Sequence, residues 1–156
     1  MNRFNPTEIF EFAIKIEEDG RRFYEKSASV IKDEKVKSLL MFLADEEIKH
    51  KETFEKILSS FESFEPAESY NEEYFAYLKA YVDNLIFKYL ESPDPEKLTN
   101  VFTVLEYALA KEMDTILYYH EMKNLVLPEN SRHFVDRIID EERKHVVMIK
   151  KMINEL

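Results

Sequence analysis

Laid against itself at an offset of 95 residues, this chain repeats in two short blocks, and no other feature of the sequence restricts its fold so strongly. Ten identities crowd into 20 aligned positions, 11–24 and 45–50: Glu11/Glu106, Ala13/Ala108, Glu17/Glu112, Asp19/Asp114, Tyr24/Tyr119, Asp45/Asp140, Glu46/Glu141, Glu47/Glu142, Lys49/Lys144 and His50/His145. Composition alone gives about one or two matches in a window of that size, even with this much glutamate. Asn5/Asn100, Glu34/Glu129 and Lys56/Lys151 complete the overlap at about the background rate. The chain reads as two copies of one unit.

That unit is helical. One glycine in 156 residues cannot supply the positive-φ turns of an all-β architecture, a phosphate-binding loop or a dinucleotide fingerprint. Asn5-Pro6-Thr7-Glu8 reads as a helix start with Asn5 as cap and Pro6 at the first helical position, and the helix runs to about Val30. Asp33 caps a second helix to about Ser60. Ser92-Pro93-Asp94-Pro95 starts a third, from about Pro95 to Asn124. A break near Leu127-Pro128 precedes a fourth, from about Asn130 to the end. Hairpin one covers about 5–60 and hairpin two about 95–156. The crossover of about 61–94 carries its own aromatic helix through Tyr74, Tyr77, Tyr81 and Tyr89, read as packing or a dimer surface. One domain of four long helices is expected.

Within each copy the same residues recur on the inward phase. Glu17 steps by three and four with Phe10, Ala13, Gly20 and Tyr24, while Glu47 and His50 step with Leu40, Leu43, Phe54 and Ile57. The second copy repeats this: Glu112 with Leu105, Ala108, Thr115 and Tyr119, then Glu142 and His145 with Val135, Ile138 and Ile149. With 24 glutamates, four histidines give about 0.6 Glu-x-x-His pairs by accident. Two occur, both in core phase and both 30 residues after another core-phase glutamate.

Four buried carboxylates are costly unless paired, and no lysine or arginine is read into their seams. Two divalent ions balance four glutamates and two neutral histidines, as do two trivalent ions bridged by oxide. One glutamate from each of two helices and Glu-x-x-His from the other two is a known way to hold a metal pair in a bundle. His120 and His133 have no partner at metal spacing and read as surface residues.

These residues resemble the ferritin-like diiron-carboxylate proteins, and among them the rubrerythrin-like branch, whose first helix is similar to Ala13–Tyr24. The resemblance covers essentially the whole chain and implies a ferritin-like four-helix bundle. It makes Glu17 and Glu112 terminal ligands, Glu47 and Glu142 bridging carboxylates, and His50 and His145 one nitrogen ligand for each of two iron ions, with manganese, cobalt or zinc also compatible. Glu46 and Glu141 would orient the histidines, and Tyr24 and Tyr119 would lie just behind the ligands. Thr115 stands where rubrerythrins place an extra glutamate, so the resemblance implies a symmetric site closer to that of bacterioferritin.

The implied activity is reduction of hydrogen peroxide or dioxygen in oxidative-stress defence. With no cysteine, this chain has no rubredoxin-type centre, so electrons would come from an external donor such as a rubredoxin. Iron oxidation and storage, and a non-catalytic metal-binding helical module, are the alternative readings. A formal net charge of -10 disfavours nucleic acid and anionic membrane surfaces. No signal-peptide core or 18-residue apolar run is present, so a soluble cytoplasmic protein is expected, as a homodimer.

Overall fold

The computed structural model describes residues 6–60, 99–126 and 129–156, with 73, 76, 77, 79–81 and 83 between them. Four long helices carry the architecture: α1 (Pro6–Val30), α2 (Glu34–Ser59), α3 (Val101–Val126) and α4 (Glu129–Asn154). Helix α1 packs along α2 and α3 along α4, and the two hairpins meet through α1 with α3 and α2 with α4. The result is an all-α four-helix bundle.

Local chemistry sets the helix ends. The backbone N–H groups of Lys35 and Val36 donate to the Asp33 carboxylate at 2.9 and 3.1 Å, satisfying donors that the first turn of α2 leaves open. Helix α3 begins later than the expected Pro95. Thr99 and Asn100 are not helical, and the Thr103 N–H donates to Asn100 Oδ1 at 3.1 Å, so the side chain able to accept that bond fixes the start. Asn100 is thus a cap, and its repeat counterpart Asn5 lies outside the described residues, as do Leu127-Pro128. All described residues from 73 to 83 are helical, which places part of the expected crossover helix; Tyr74 and Tyr89 lie outside the description. Tyr81 stacks on Tyr118 at 6.3 Å and donates to the Asp114 carbonyl at 3.0 Å, joining the crossover to α3.

The apolar core is divided. One cluster joins Phe10, Ala13, Phe54, Ile57, Tyr119, Val135 and Ile138, and the other joins Phe23, Leu40, Leu43, Val104, Leu105, Ala108 and Ile149. Between these clusters along every helix lies a layer of buried charged side chains.

Candidate metal centre

Each helix contributes to that layer at one level. Glu17, Glu47, Glu112 and Glu142 are fully buried, and His50 and His145 are 1% and 2% exposed. Ligand-type atoms of Glu47, Glu112, Glu142 and His145 lie within 4.8 Å of one another, and so do those of Glu17, His50 and Glu142. Glu142 belongs to both groups. All six side chains singled out in the sequence are therefore brought together, from four helices.

Their contacts follow the repeat and cross between hairpins. Tyr24 on α1 donates its hydroxyl proton to Glu112 on α3, and Tyr119 on α3 donates to Glu17 on α1. His50 Nδ1 lies 2.9 Å from Glu142 Oε1 and 3.6 Å from Glu17 Oε2, and His145 Nδ1 lies 2.9 Å from Glu142 Oε2. The imidazoles stack with centroids 5.7 Å apart. On the outer side, His50 Nε2 is 2.9 Å from Glu141 Oε2, whereas Glu46 is paired with Lys49. His133 is exposed and His120 half-buried at 3.4 Å from Arg143, away from this layer.

One expectation fails here. A cation does share the seams: Lys111 is 1% exposed, with Nζ 2.9 Å from Glu47 Oε1, 3.8 Å from Glu112 Oε1 and 5.3 Å from the Tyr24 ring centroid. The layer is also not symmetric, because the repeat partner of Lys111 is the apolar Ile16. The lone glycine makes room for it. A Cβ on Gly20 would meet Lys111 Cε and Nζ at 2.5 Å and Glu47 Oε2 at 2.7 Å, which explains a residue that costs about 1 kcal/mol relative to Ala inside a helix. Thr115, the repeat partner of Gly20, is buried with its hydroxyl unbonded.

Charge and burial compete throughout the layer. Burial pushes the Glu47 carboxyl well above the usual carboxylate range; Lys111 pulls it down, but the charges of Glu17 and Glu112 add to the rise. Burial also acts to raise Glu17, where the closeness of Glu47 and His50 outweighs it and lowers the group. Glu112 is held low because Lys111, Glu142 and His145 together overcome its burial. Burial opposes protonation of His145, yet Glu112 and Glu142 raise it to about 9. Burial opposes the Lys111 ammonium too, and the surrounding carboxylates keep it charged.

Even so, Glu17 Oε2, Glu47 Oε2, Glu112 Oε2, Glu142 Oε1 and His50 Nδ1 are buried without an aligned hydrogen bond, the 2.9 Å approach of His50 Nδ1 to Glu142 Oε1 included. Buried lone pairs without a donor are costly, and carboxylate oxygens with imidazole nitrogens form a donor set suited to a transition-metal ion. These residues fit a metal pair.

A sequence model of the Rubrerythrin family matches residues 8–98, more than half of the chain. The chain belongs to the rubrerythrin family. A protein of Thermotoga maritima, described as a ferritin-like diiron-carboxylate protein, superposes with a TM-score of 0.71 at 24% identity, covering 99% of this chain and 98% of that one. A hypothetical protein from Pyrococcus furiosus gives a TM-score of 0.70 at 23% identity over 97% and 89% of the two chains. No curated protein matches the sequence. The fold of this rubrerythrin-family chain is the ferritin-like bundle. No described helix is long and apolar enough to cross a membrane.

Proposed function

We propose that this protein is a non-haem diiron-carboxylate oxidoreductase that reduces hydrogen peroxide or dioxygen with electrons from an external donor protein. The observation that carries this reading is the layer of four buried glutamates and two histidines, in which one oxygen of each glutamate and Nδ1 of His50 lack a hydrogen bond. Two iron ions would supply the two-electron redox change that these side chains alone do not.

Glu17 and Glu112 serve as terminal ligands, Glu47 and Glu142 as bridging carboxylates, and His50 and His145 as one nitrogen ligand per ion. The place of Glu142 in both ligand groups supports its bridging role. Tyr24 and Tyr119 hold Glu112 and Glu17 in orientation through their hydroxyls, and Glu141 does the same for His50. The two apolar clusters above and below the layer keep bulk water from its faces.

The test begins with metal analysis of protein purified without added metal. Iron-loaded, reduced protein is then mixed anaerobically with peroxide, and separately with dioxygen, in a stopped-flow instrument. Rapid oxidation that an added donor reverses is expected. Absence of oxidation by both would leave a non-catalytic metal module, while a closed shell of many subunits in light scattering would favour iron storage over the expected homodimer.

A further inference from the structure

Lys111 places a positive charge inside a layer built to receive positive ions. Its ammonium lies 2.9 Å from Glu47 and 3.8 Å from Glu112, two of the four residues in the group Glu47, Glu112, Glu142 and His145. No such contact reaches the other group, Glu17, His50 and Glu142, among the described residues. The ammonium is therefore a monovalent cation seated on the terminal ligand of one metal position, Glu112, and on the shared carboxylate Glu47, with no such contact to Glu17, the terminal ligand of the other position. Two further features show that its place is built. Gly20 leaves the volume that its terminal carbon and nitrogen fill, and the other half of the repeat has Ile16 at the matching position, which can neither reach nor charge the layer.

We propose that Lys111 is a specificity-determining residue that makes the two metal positions unequal. The first divalent ion goes to the position of Glu17, His50 and Glu142. The second enters against the lysine charge and must take Glu47 from it. This inference rests on the metal-centre reading, and it implies a centre that loads in order and can stand half-filled at low metal concentration. It also leaves the filled centre one charge more positive than its carboxylates and ions alone make it, an environment that favours binding of an anion.

The test uses cobalt(II), whose visible bands report coordination without a redox step. Metal-free full-length protein and the variants Lys111→Met and Lys111→Gln are titrated with cobalt(II) by absorbance and calorimetry. Native protein should bind two ions in steps separated by about tenfold or more in affinity. Both variants should leave the first step within about threefold and tighten the second by about tenfold or more, the direction expected when a like charge beside the ion is removed.

A packing role would instead shift both steps together, and that outcome would overturn the proposal, as would two equal steps in the native protein. The native titration decides even where a variant fails to fold. If native protein binds no cobalt at all, the metal-centre reading itself fails; if it binds two ions indistinguishably, only this inference does.

Discussion

The two halves of the charged layer derive from one repeat but meet the problem of buried acid differently. In the first half, Ile16 and Gly20 flank Glu17, and the carboxylate depends on the tyrosine of the opposite hairpin and on His50. In the second half, Lys111 and Thr115 occupy those positions beside Glu112, and a buried ammonium takes part of the negative charge. Sequence repetition has preserved the ligand positions while the counter-charge is supplied on one side only. A pseudo-symmetric scaffold need not give a symmetric electrostatic field.

The largest effect should separate the paired glutamates. In metal-free protein, Glu47→Ala takes from the buried Lys111 ammonium its nearest carboxylate, leaving Glu112 at 3.8 Å, and should cost about 3–5 kcal/mol. Glu142→Ala strands two histidines, which can release their protons, and should cost only about 1–2 kcal/mol. Urea unfolding at pH 8 in the presence of chelator measures both, and equal losses would erase the distinction between the halves.

Removing metal from the loaded native protein should come next. At about a hundredfold excess over the dissociation constant a bound ion contributes about 2.7 kcal/mol, so chelation should lower Tm by about 5–10 °C. The double variant Glu47→Ala/Glu142→Ala should show no such drop in a thermal scan.

Tyr24→Phe and Tyr119→Phe test where the halves are alike. Each removes one hydroxyl donor to a buried carboxylate, and each should cost about 1.5–3 kcal/mol in the same urea unfolding measurement. A clear inequality would extend the asymmetry beyond Lys111.

The smallest effect lies on the surface. Glu18 accepts hydrogen bonds from Arg21 and Lys51, tying α1 to α2, and these contacts hold its carboxyl down from 4.5 to about 2. Its repeat counterpart in the second half is the exposed Met113. Because the folded state depresses this group, its contribution is present above about pH 4.5 and fades as the pH falls toward 2. Glu18→Gln should therefore cost at most about 1 kcal/mol at pH 7 and nothing near pH 2, read from paired denaturation curves.

Much of this layout could be read before any coordinates. The six inward ligand-type residues, the Asp33 cap and the hairpin order all follow from spacing, because a helix repeats its facing positions every three or four residues. Lys111 escaped for the same reason. Following α3 through Leu105, Ala108, Glu112, Thr115 and Tyr119 traces one narrow stripe, whereas the buried face also takes in Val104, Lys111, Tyr118 and Met122. Two signals could have found it: the only glycine lies mid-helix on an inward position, and the offset of 95 sets a lysine against a buried isoleucine. The late start of α3 was hidden because Pro95 suits a first helical turn, while the Asn100 cap looked like a chance match.

The crossed tyrosine bonds carry a further consequence. Each hairpin holds a donor whose acceptor sits on the other: Tyr24 reaches Glu112 and Tyr119 reaches Glu17. Such reciprocity is the mark of an isologous two-fold contact, in which one surface completes its own copy. A lone first hairpin thus contains both groups of the bond yet cannot close it within itself. It becomes complete only by meeting a second of its kind, so the architecture is that of a self-complementary dimer written into one polypeptide.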